Sequence, residues 1–110
     1  MTFARAERVS VLVKKNLSEI LHKHIHDPRL KNTTITDVNM SSDIKLAKIY
    51  FVTESKKKND AMKGFKSAQG FIKRSLAKTL GLRYMPNLKF YYDESFDYGD
   101  HIEKLLKEVL

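Results

Sequence analysis

Asp60-Ala-Met-Lys-Gly-Phe-Lys-Ser-Ala-Gln-Gly-Phe-Ile-Lys-Arg-Ser-Leu-Ala-Lys-Thr-Leu80 has the rhythm of one long amphipathic helix, with Gly81 as its stop. At about 100° per residue, Lys63, Lys66, Lys73 and Arg74 fall within about 60° of Gly70, while Met62, Phe65, Ile72, Leu76 and Leu80 take the other side. Glycine inside a helix costs about 1 kcal/mol against alanine, so its place among cations calls for a reason. A spot without a side chain lets a phosphate reach the backbone, and it lets the helix kink and expose N–H groups.

Working outward, Lys56-Lys57-Lys58-Asn59-Asp60 reads as a basic loop, with Asp60 as the cap of the helix behind it. Before that loop, residues 33–41 and 45–53 read as two strands joined by a turn at Ser41-Ser42-Asp43-Ile44, an antiparallel hairpin. Val38 and Met40 share one face of the first strand, and Ala47, Ile49 and Phe51 share one face of the second. Residues 5–26 read as a helix, with Val9, Leu12, Val13, Leu17, Ile20, Leu21 and Ile25 on its apolar side, stopped by Asp27-Pro28. After the Met85-Pro86-Asn87 loop, residues 88–93 read as a third strand and 97–109 as a short last helix. The order is α-β-β-α-β-α, an α+β fold whose simplest packing lays the helices on one face of a three-stranded sheet.

The 110 residues make one domain, 1–110, without repeat or linker. No run approaches the roughly 18 apolar residues of a membrane span, and the charged N-terminus lacks an apolar export signal, so the expected location is cytoplasmic. The absence of cysteine excludes disulfides and thiolate metal sites. Twenty-one Lys and Arg against thirteen Asp and Glu give a net charge of +8, and the pI of 9.7 exceeds the value of about 9 that marks nucleic-acid-binding domains.

The other candidate chemistries are weaker. His22 and His26 share a helix face, but His24 points away and no further ligand is evident, so no metal site is expected. The acids are scattered, and neither a nucleophile–base pair nor a phosphate-binding glycine loop is present, so no enzyme and no cofactor are expected. Tyr50, Tyr91 and Tyr92 suit either stacking on bases or packing in the sheet, and packing is the simpler reading for most of them. The residues expected to meet RNA are Lys63, Lys66, Lys73, Arg74 and Lys78 around Gly70. Two alternatives stand beside that reading: a protein-interaction module docking its basic face on an acidic partner, and a general single-stranded RNA binder. No spare apolar stripe is evident, so a monomer is expected.

The element order resembles the type II KH architecture, with Ala68-Gln69-Gly70 in place of a Gly-x-x-Gly clamp. Phe3-Ala-Arg5-Ala-Glu-Arg8-Val9, Asp27-Pro28-Arg29-Leu30, the hairpin from Val38 to Tyr50, Gly70-Phe-Ile-Lys-Arg74 and Leu82-Arg83-Tyr-Met-Pro86-Asn-Leu88-Lys-Phe90-Tyr-Tyr-Asp93 follow one another in the pattern of the bacterial ribosome-binding factor A family. Phe96 and residues 102–106 fit the final helix of that family. The resemblance spans nearly the whole chain. It implies a non-enzymatic assembly factor that binds the free small (30S) ribosomal subunit and its ribosomal RNA. Such a factor assists late processing of the RNA precursor and supports growth in the cold. It further implies a helix kinked at Ala68-Gln69-Gly70, and basic contacts at Arg5, Arg8, Arg29, Lys73 and Arg74.

Overall fold

The computed structural model describes residues 2–95. Helix α1 (Thr2–Lys23) is followed by a 3-10 turn (Pro28–Leu30), strands β1 (Thr34–Met40) and β2 (Leu46–Val52), a second 3-10 turn (Ser55–Lys57), helix α2 (Lys58–Leu80) and strand β3 (Asn87–Tyr92). The expected helix at 97–109, with Phe96, lies outside the described residues. The sheet order is β1-β2-β3. β1 and β2 run antiparallel. β3 lies parallel to β2, the pairing that needs a crossover such as α2.

Strand alternation decides which side is covered. Ile35 and Val38 of β1, Ala47, Ile49 and Phe51 of β2, and Leu88 and Tyr92 of β3 are buried. They meet Val9, Val13, Leu17 and Ile20 of α1 and Ala61, Phe65, Ile72 and Leu76 of α2 in one core, so both helices lie on the same face. Phe65 sits at the centre, its ring 4.9 Å from that of Phe51 and stacked at 4.4 Å on that of Phe90. The hairpin turn is closed by side chains: Ser41 Oγ donates to Asp43 Oδ1 at 2.6 Å, and the Leu46 N–H donates to Ser41 Oγ at 3.0 Å. The Ser41 hydroxyl, followed by the Lys45 N–H, holds the Asp43 carboxyl below its ordinary pKa.

Several boundaries differ from the sequence reading, each for a local reason. α1 closes at Lys23: the His24 N–H still makes the regular bond to the Ile20 carbonyl (2.9 Å), but the Ile25 N–H turns to that same carbonyl (3.2 Å) and ends the ladder. Asp27 is then extended (φ −70°, ψ 120°), as a residue before proline must be. α2 begins at Lys58, so Asp60 lies in its first turn and does not cap it; the carboxylate still suits the positive end of the helix. Gly81 closes α2 in the left-handed region at φ 61°, its N–H donating to Ala77 at 3.1 Å. Leu12 and Met62, read from the wheel as inward, are exposed at 48% and 38%.

Candidate nucleic-acid interface

From Ala61 to Leu80, helix α2 carries five cations and no acid. Lys63, Lys66, Arg74 and Lys78 are exposed, Lys73 is half-buried, and Gly70 is exposed among them. The structure therefore brings the predicted stripe together on the side of α2 that faces away from the core. Arg74 marks the centre of the stripe. Its guanidinium nitrogen lies 3.3 Å from where a β-carbon on residue 70 would stand. The side chain folds back one turn over the notch that glycine leaves.

The helix is not interrupted at Ala68-Gln69-Gly70. α2 is helical at every residue from Lys58 to Leu80, and among the described glycines only Gly81 has a positive φ. The kink expected there does not break the run of helical residues, and Gly70 leaves a notch on its outer face. The local cause is a division of labour among the three residues. Ala68 packs against the core, and Gln69 Nε2 donates to the Leu88 carbonyl of β3 at 3.1 Å. Together they hold this turn against the sheet, while Gly70 points outward.

The remaining predicted cations are placed elsewhere. Arg5 and Arg8 are exposed on the first turns of α1. Arg29 is fixed in the Pro28–Leu30 turn and bound to Asp27, with Nη2 2.7 Å from Oδ2 and Nε 3.0 Å from Oδ1. The Arg29 backbone N–H donates to the same carboxylate at 2.9 Å. These bonds from the Arg29 side chain and backbone hold Asp27 below its ordinary pKa, and the side-chain bond to Asp27 raises that of Arg29. Arg29 is therefore a partly compensated charge, whereas among the described residues no ion pair joins Lys63, Lys66, Lys73, Arg74 or Lys78.

Sequence reasoning passed over two features of this surface. Phe71, next to Gly70, is 39% exposed; on the wheel it falls beside Lys78 and outside the apolar arc, which is the signal that would have found it. Gly64 lies beneath the Pro28–Leu30 turn; a glycine on the apolar side of a helix is the usual mark of such a close approach. Among the described residues no group of three His, Cys, Asp or Glu is placed to hold a metal ion, and no helix is long and apolar enough to cross a membrane.

Residues 5–106 match the family model described as ribosome-binding factor A. The chain is 48% identical over 110 residues to the ribosome-binding factor A of Desulfatibacillum aliphaticivorans, covering 98% of this chain and 89% of that one. Its fold is similar to the crystal structure of ribosome-binding factor A from Thermus thermophilus, with a TM-score of 0.73 and 23% identity over 79% of this chain and 93% of that one. It is also similar to a homology model of the Thermus thermophilus factor fitted into a cryo-EM map of a 30S complex, with a TM-score of 0.64 and 24% identity over 77% of this chain and 91% of that one.

Proposed function

The chain belongs to the ribosome-binding factor A family, and from that premise we propose that it binds the free small ribosomal subunit in the cytoplasm and assists the late maturation of its RNA. The observation that carries this reading is the acid-free stripe Lys63, Lys66, Lys73, Arg74 and Lys78 around an exposed glycine. The five cations neutralise backbone phosphates, which supplies affinity without reading sequence. At Gly70 an RNA strand approaches the helix more closely than any side chain would permit. Arg74, already folded over that notch, swings onto the phosphate entering it. The protein acts as a monomer and by binding alone: it holds an immature RNA conformation until folding or processing near it is complete.

The test is co-sedimentation with purified small subunits, large subunits and complete ribosomes, with excess unrelated RNA as competitor. Selective migration with free small subunits is the expected result. Equal binding everywhere, abolished by the competitor, would leave only a general RNA binder. Binding that survives nuclease digestion would instead identify a protein partner.

A further inference from the structure

Both helices cover the same face of the sheet, and among the described residues no element covers the other. The strand register sets the side chains of that second face in rows. Asn39, Lys48 and Lys89 form one row, and Asp37, Tyr50 and Tyr91 form the next. The two tyrosine rings are stacked, with centroids 5.6 Å apart and planes at 29°. Lys48 and Lys89 are exposed side by side with no acid in their row. Tyr91 is 39% exposed, although it lies in the sheet.

We propose that this face is a second RNA-binding surface, on which Tyr50 and Tyr91 stack an unpaired base while Lys48 and Lys89 hold the adjoining phosphate. The inference rests on the RNA-binding reading above and adds a contact to it on the opposite side of the domain. Residues two apart along a strand are about 7 Å apart, the scale of one nucleotide. A base extending the tyrosine stack therefore leaves its backbone over the lysine row. An aromatic face beside cations on an open sheet is what a single strand requires, because every base has a π-face and every linkage a charge.

The acids on this face do not oppose that path. Asp93 accepts a hydrogen bond from the Thr36 hydroxyl across the sheet. Asp37 stands at the β1 edge with one oxygen already accepting the Val38 N–H at 2.9 Å, and its other oxygen is suited to a base amino group. A globular partner protein fits less well, because paired lysines would have to be desolvated beneath it. The domain would then lie between two RNA segments, one along α2 and one across the sheet.

The test uses the full chain and a short single-stranded RNA of mixed sequence. Replacing both rings, Tyr50→Ala with Tyr91→Ala, should weaken binding about tenfold or more, as expected when base–aromatic stacking is lost. Tyr50→Phe with Tyr91→Phe keeps the rings and should retain binding. Ultraviolet crosslinking of the wild-type complex should attach RNA at Tyr50 or Tyr91. Equal binding by the alanine pair, or crosslinks confined to α2, would overturn the proposal. The same proteins are run with purified small subunits. If the wild type does not co-sediment, the ribosomal reading fails. If it does and the alanine pair still binds RNA normally, only the sheet surface fails.

Discussion

A β-carbon on residue 64 would stand 2.9 Å from Leu30 Cγ and 3.2 Å from Arg29 Cβ, so the Pro28–Leu30 turn rests directly on the backbone of α2 at Gly64. Gly70, six residues on, has only the flexible end of Arg74 near it. One helix thus carries a glycine required by packing and another that packing does not require. The second is the one surrounded by cations.

Gly64→Ala should destabilise the fold. Overpacking costs about 1–3 kcal/mol, and alanine returns about 1 kcal/mol in helix propensity. The expected net loss is about 1 kcal/mol, read in thermal denaturation as a fall of roughly 4–8 °C. An unchanged or raised melting temperature would mean that Leu30 moves aside freely.

Gly70→Ala should do the reverse. The guanidinium of Arg74 is free to swing away, and the helix gains about 0.5–1 kcal/mol. Small-subunit binding should nevertheless fall, because the notch is filled. Gly70→Asp should weaken it more, since a like charge then faces the phosphate. Co-sedimentation beside a thermal melt checks both halves, and a Gly70→Ala protein that bound at full strength would sink the close-approach mechanism.

If the stripe meets phosphates along a single strand, log K falls against log salt by about 0.7 for each cation engaged. Lys73→Ala with Arg74→Ala should therefore reduce the slope by about 1.4, whatever the RNA sequence. Lys14→Ala with Lys15→Ala, exposed on α1, should leave the slope unchanged. Fluorescence anisotropy across a salt series measures both.

Asp27 gives stability a defined pH dependence. Its pKa is lowered in the fold by the bonds it accepts from the Arg29 side chain and backbone. Its stabilising contribution is therefore complete above the unfolded value of about 3.9 and is lost as pH falls through the lower folded value. Asp27→Asn should melt earlier than wild type at neutral pH. The gap should narrow in acid, as followed by thermal melts from neutral pH to about pH 2. A constant gap would show that the carboxylate charge is not what holds the turn.

Much of the architecture was legible because its signals are local. The apolar rhythm of α1 and α2, the alternation within each strand and the left-handed glycine at 81 each need only a few neighbouring residues to be read. The cation stripe on α2 is equally local, since one helical wheel fixes it. The end of α1 is not legible to the residue, because proline forbids helix at the residue before it and nothing in the sequence says how far upstream the ladder gives way.

The sequence by itself determined the order α-β-β-α-β, the basic face of α2 and the presence of a glycine within it, since helical and strand periods follow from backbone geometry alone. Only the tertiary structure decided that Gly64 seats Leu30, that Gln69 ties α2 to β3, and that Leu12 and Met62 face solvent. It alone set Lys48 beside Lys89 and Tyr50 beside Tyr91. These are contacts between segments far apart along the chain. They depend on strand register and on how closely two elements approach, and no local periodicity encodes either quantity.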